Sequence, residues 1–190
     1  TQMLAKGHDF PNLTLVGVLD ADGALYSSDF RAAERLFAQL MQVAGRAGRA
    51  AAKGEVLVQT GFPEQPLFQA LQRHDYAAFA AQQLAERRAA GFPPFCHQAL
   101  LRAEAVRLDD ALAFLHTACA ALPGGAPGVT AYDPVPAPMA RLAGRERAQL
   151  LLQSATRRAL HATLAAWMPA LRGKGTARVR WSLDVDPLEF

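Results

Sequence analysis

The chain has 190 residues, 51% hydrophobic and 19% charged, with a formal net charge of +3 at pH 7. That length supports one good core or two small ones, and that composition excludes a disordered chain. No apolar run is long enough to cross a bilayer, and the first residues lack the basic-then-apolar order of a secretion signal.

The net charge says less than its distribution. Between Arg141 and Arg180 there are eight arginines and one lysine against Glu146 alone. The first thirty residues carry Lys6 against Asp9, Asp20, Asp22 and Asp29. A basic carboxy-terminal third points to a polyanionic partner. The two cysteines, Cys96 and Cys119, lie far apart and form no Cys-x-x-Cys pair. That pattern gives no basis for a zinc site, and the default is a cytoplasmic chain with buried thiols.

Residues 1–11 read as a short helical segment broken by Gly7 and closed by Pro11. Residues 13–19 are an apolar run with two valines, expected as a strand buried on both faces. Asp20-Ala21-Asp22-Gly23 is a turn signal. Asp29 is placed to cap a helix over 30–43, whose apolar stripe is Leu36, Phe37, Leu40 and Val43. A Gly-Arg loop and a strand over 55–60 follow. The order strand, helix, loop, strand is one α/β crossover. A parallel sheet needs more strands than this, so the rest of the lobe is expected upstream of Thr1.

Residues 66–90 are rich in Ala, Gln and Leu and read as two helices broken near His74-Asp75. Gly91-Phe92-Pro93-Pro94-Phe95 is a firm stop, which sets domains at 1–92 and 93–190. Beyond it come a strand over 97–106, a helix over 109–122 capped by Asp109, and a loop over 123–128. A strand over 129–133, a Pro-rich loop and a strand over 147–153 are next. A helix over 156–171 capped by Thr156, a Gly173-Lys174-Gly175 turn and a strand over 178–185 close the chain. The sum is βαββαβ, the split order of ferredoxin-like α+β domains.

Two stretches carry chemistry. Gln42-Val43-Ala44-Gly45-Arg46-Ala47-Gly48-Arg49 ends the first long helix. A helix ending on glycine with an arginine suited to its dipole accounts for one Gly and one Arg. It does not account for the paired Gly-Arg with Gln at its head. Gln-x-x-Gly-Arg-x-Gly-Arg resembles motif VI of superfamily 2 helicases, in which two arginines reach the terminal phosphate of ATP. Arg46 and Arg49 are then the catalytic arginines, since a guanidinium grips two phosphate oxygens at once. Gln42, Gly45 and Gly48 would shape that site. Lys6-Gly7-His8-Asp9 with Thr1 upstream resembles motif V. Lys6 would meet a phosphate, Gly7 the backbone, Asp9 a ribose hydroxyl, and Thr1 the DNA side. Taken alone, the same segment also reads as a Gly-broken helix end.

The second stretch is 134–147, where prolines stiffen a loop and Arg141, Arg145 and Arg147 cluster behind it. It reads either as a contact to DNA phosphates or an acidic protein tail, or as ordinary surface charge. His8, His74, His97, His116 and His161 share no metal spacing. Trp167, Trp181, Phe92 and Phe95 could stack on bases, but the core reading is favoured.

Together these motifs resemble the PriA family of replication restart helicases, also called primosomal protein N′. Residues 1–11 look like its motif V and 42–49 like its motif VI. Asp133-Pro134-Val135-Pro136-Ala137-Pro138, Gly144-Arg145 and Trp181-Ser182-Leu183-Asp184-Val185-Asp186-Pro187 look like its carboxy-terminal domain. The resemblance implies the last part of a RecA-like helicase lobe 2, followed by a carboxy-terminal domain that contacts branched DNA. It implies 3′ to 5′ unwinding with ATP and magnesium at stalled forks. Expected partners are forked and single-stranded DNA, single-stranded DNA-binding protein and other primosome proteins. Zinc would belong to an upstream region. Asp133 departs from the family, which has Gly there. The sequence holds no phosphate loop and no Asp-Glu pair, so this segment alone is not expected to turn over ATP. The alternative is a non-enzymatic binding module with vestigial helicase motifs.

Overall fold

The computed structural model describes residues 13–26, 29–45, 54–124, 127–174 and 178–188. The chain is an α/β protein that divides into two compact units, Thr1–Glu86 and Arg87–Phe190.

In the first unit, β1 (Leu15–Val18) and β2 (Glu55–Val58) pair in parallel, with Leu15 opposite Glu55 and Val18 opposite Val58. Helix α1 (Ala32–Ala44) connects them, as a parallel pair requires. Asp29 accepts the Arg31 N–H at 2.9 Å and pairs with Arg35 at 2.6 Å, so it fixes the approach to α1 from two residues before the cap. Helices α2 (Pro66–Gln72) and α3 (Tyr76–Ala90) follow. His74 between them takes a left-handed φ of 53°, and the Asp75 carboxylate caps α3 through the Ala78 N–H at 2.9 Å. Leu36, Phe37 and Leu40 meet Leu67, Phe68, Ala70 and Phe79 in the core. Phe37 and Phe79 stack at 4.1 Å.

The expectation that the first strand is buried on both faces fails. Val18 and Val58 pack on the helices, but Leu15 and Leu57 are 53% and 54% exposed. They share the opposite face, where no described residue covers them, because side chains alternate along a strand.

The second unit is built on β3 (His97–Ala105). It lies between β6 (Arg145–Ser154) and β7 (Arg180–Val185), antiparallel to both. The far edge of β6 pairs with β4 (Val129–Ala131) near its end and β5 (Val135–Leu142) near its start. The sheet order is β4-β6-β3-β7, with β5 beside β6. Helices α4 (Leu108–Ala120) and α5 (Arg157–Lys174) pack on one face. Inward residues of β3 (Ala99, Leu101, Ala103, Ala105) and β6 (Ala148, Leu150, Leu152) alternate with residues that are polar except for the cross-strand pair Leu100 and Leu151. Trp167 is fully buried among them and donates its indole N–H to the Ala118 carbonyl at 2.9 Å.

Three local expectations change. The Pro-rich loop is a strand, so the order is βαβββαβ. Pro136 and Pro138 are tolerated because β5 is an edge, where a missing N–H breaks no outer ladder. Asp109 lies in the first turn of α4 rather than at its cap, which is Arg107. There its charge suits the helix dipole. Helix α5 runs to Lys174, into the expected Gly173-Lys174-Gly175 turn, with fully buried Leu171 anchoring its last turns.

Candidate functional site

The parallel register brings together the entrances of β1 and β2. The Glu55 N–H donates to the Thr14 carbonyl at 2.7 Å. The chain therefore enters both strands at the same end. The residues leading into β1 are the motif V candidates, and those leading into β2 are the Gly-Arg loop. Gln42 is exposed on the last turn of α1, and Gly45 ends that helix with its N–H on the Met41 carbonyl at 3.0 Å. Arg46, Gly48, Arg49, Thr1, Lys6, Gly7 and Asp9 lie outside the described residues.

The opposite, carboxyl ends of the two strands are tied by a residue read only as part of a turn. Asp22 follows β1, and its carboxylate accepts the Thr60 hydroxyl and the Gly61 N–H, the latter at 2.7 Å. Thr60 in turn accepts the Phe62 N–H at 3.0 Å. The spacing of Asp22 and Thr60 along the chain, with a helix between, hid this link.

The three arginines of 134–147 do not share one face. Strands β5 and β6 form a hairpin through Ala143 and Gly144, both at positive φ, 49° and 77°. Arg141 is opposite Glu146 and lies 3.6 Å from it. Cross-strand partners share a face, so Arg141 belongs with Glu146. Arg145 and Arg147 point to the other side, away from α4 and α5.

That open side has a definite pattern. One row across the sheet is Arg147, Glu104 and Arg180, and the next is Gln149, Arg102 and Ser182. Arg147 lies 3.3 Å from Glu104, and Arg102 pairs with Asp184 at 3.2 Å. Arg145 and Arg180 have no ion-pair partner among the described residues. At the far end, Gln98 donates to Gln153, which donates to the Gly91 carbonyl, so the 91–96 segment covers that end. Between these two rows Arg102, Arg147 and Gln149 line a cavity of about 800 Å³.

Of the four aromatic candidates, Trp167 is core and Trp181 packs against it, as the core reading has it. Phe92 is 39% exposed, and Phe95 carries the Arg88 guanidinium at 4.7 Å. Burial pushes both cysteine thiols above their ordinary value, Cys96 with added push from Asp186 and Cys119 from Asp133. Among the described residues no group of His, Cys, Asp and Glu is arranged to hold a metal ion, and no helix is long and apolar enough to cross a membrane.

Residues 88–188 match the family described as "Primosomal protein N C-terminal domain", which is the second unit almost end to end. The chain belongs to this family. Over its whole length it is 46% identical to the replication restart protein PriA of Haemophilus influenzae. It is 40% identical over 192 residues to the protein of the same name from Treponema pallidum, and 39% over 160 residues to that from Bacillus subtilis. The alignment covers 100%, 99% and 80% of this chain, but only 26%, 28% and 19% of those relatives. The chain thus spans about a quarter of their length.

Proposed function

We propose that this chain is the carboxy-terminal portion of an ATP-dependent 3′ to 5′ DNA helicase acting in replication restart. The observation that carries the reading is the alignment of the whole chain with replication restart proteins. The parallel pairing of β1 and β2 through α1 is consistent with part of an α/β lobe.

In this reading the first unit is the end of a RecA-like lobe 2. Its exposed Leu15 and Leu57 face would be covered by crossover helices that join further strands of the same sheet. Arg46 and Arg49 act as arginine fingers on the transferring phosphoryl group, with Gln42, Gly45 and Gly48 holding the loop. Lys6, Gly7 and Asp9 meet the nucleotide, and Thr1 the DNA side. ATP and magnesium would be held mainly by an upstream segment with a phosphate loop. Zinc would sit farther upstream still.

The second unit is read as a ferredoxin-like domain, boundary near 92/93, carrying an additional edge strand. Its open side is read as the surface for forked and single-stranded DNA, with Arg145 on phosphates and Arg147 among the other DNA contacts. Arg141, on the other side of the hairpin, would serve a protein partner such as single-stranded DNA-binding protein or another primosome component. A cytoplasmic site of action follows from that role.

The test is ATP turnover on forked DNA by this chain combined with an upstream segment carrying a phosphate loop. Turnover that falls on the order of 10³-fold with Arg46→Ala supports the reading. An associated mixture without turnover overturns it in favour of a binding module.

A further inference from the structure

We infer that the cavity on the open side of the second unit takes an unstacked base of single-stranded DNA. This deepens the DNA reading above and rests on it.

The floor of the cavity is Arg102, Arg147 and Gln149, on neighbouring strands. One wall is Pro138 and Met139 of β5, and the opposite wall includes Asp184 of β7. Charge decides what fits. Arg102 already faces Asp184, and Arg147 already faces Glu104. The interior is near neutral, so a phosphate there would have to displace a carboxylate from its arginine. A neutral group with polar edges and a flat apolar face meets no such penalty. A nucleobase is that group: its edges match guanidinium, amide and carboxylate, and its face matches proline and methionine.

Two details favour an occupant. The Arg147 Nε–H is buried and its angle to Glu104 makes no hydrogen bond, although the atoms are 3.3 Å apart. A buried donor left this way is unfavourable until an acceptor arrives. The wall is also irregular. Between Pro136 opposite Ala148 and Arg141 opposite Glu146, residues 137–140 lie against the single residue Arg147. The ladder is broken there by a register shift. Arg145 and Arg180, without ion-pair partners among the described residues, stand on the same side to hold the flanking phosphates.

The test compares binding of the 190-residue chain to a short oligothymidylate and to an abasic strand of equal length, by fluorescence anisotropy at fixed salt. The base-bearing strand should bind about tenfold tighter, as expected from one stacked base. Met139→Ala, at a side chain 58% exposed and so harmless to folding, should remove most of that preference. Gln149→Leu should do the same, with abasic binding unchanged in both variants. Equal binding of the two strands by the unaltered chain overturns the base site and leaves the phosphate-binding reading standing. No binding of either strand overturns both.

Discussion

Asp22 holds Thr60 across the carboxyl ends of two parallel strands, through the Thr60 hydroxyl and the neighbouring Gly61 N–H. Parallel strands cannot be joined by a short turn, so their relative position depends on contacts like this one. Asp22→Ala should destabilise the first unit by about 1–3 kcal/mol, as expected for loss of hydrogen bonds to a charged group. Thr60→Val should cost less. A double-mutant cycle by urea denaturation should show a coupling of at least about 0.5 kcal/mol. Strict additivity would mean that the two side chains do not act together.

The β5–β6 hairpin turns on Ala143 and Gly144, both at positive φ. A two-residue turn of this kind favours Asn-Gly, and alanine at a left-handed φ is strained. Ala143→Asn should raise stability by about 0.5–1 kcal/mol, and Gly144→Ala should lower it by a similar amount. Thermal melts of the two variants check this. A lower melting temperature for Ala143→Asn would contradict the turn geometry.

Trp167 is the largest fully buried side chain, and its indole N–H has one acceptor, the Ala118 carbonyl on the facing helix. Trp167→Ala should cost about 3–5 kcal/mol. Trp167→Phe keeps much of the volume but leaves the carbonyl without its donor, so an intermediate loss is expected. Equal losses for the two would assign the whole effect to that hydrogen bond.

The open-side arginines predict a salt signature. Binding to single-stranded DNA should weaken with salt, each phosphate contact adding about 0.7 to the log–log slope. Arg145→Ala and Arg180→Ala should each lower the slope by roughly that amount. Arg141→Ala should change it less, because Arg141 faces Glu146 on the other side. A salt-independent affinity would remove phosphate contacts from the account.

Burial raises the pKa of the Cys96 and Cys119 thiols. The folded state therefore favours the protonated thiol. That contribution to stability is fully present below the unfolded thiol value of about 8.5 and is lost as pH rises through the higher folded value. Alkylation at pH 8 should be slow in the native chain and fast in denaturant. Rapid native labelling of Cys96, which is 5% exposed, would show that its surroundings open readily.

Much of this was legible from periodicity. The stripe Leu36, Phe37, Leu40 and Val43 predicts the buried face of α1; the first three are in the core and Val43 is only partly buried. The break at His74-Asp75 and the cap at Thr156 were readable because turn and cap chemistry is local. Strand β5 was not readable. Its prolines signal a loop, and only pairing with β6 makes it an edge strand.

By itself, the amino-acid sequence determined most of the helices and strands, β5 excepted, and which family the chain resembles. Those depend on neighbours a few residues apart. The tertiary structure alone decided that Arg141 parts from Arg145 and Arg147, that Asp22 reaches Thr60, and that one end of the β3–β6 face stays open. Each of these depends on strand register. A shift of one residue would turn every side chain of a strand to the opposite face, and no local signal reports that choice.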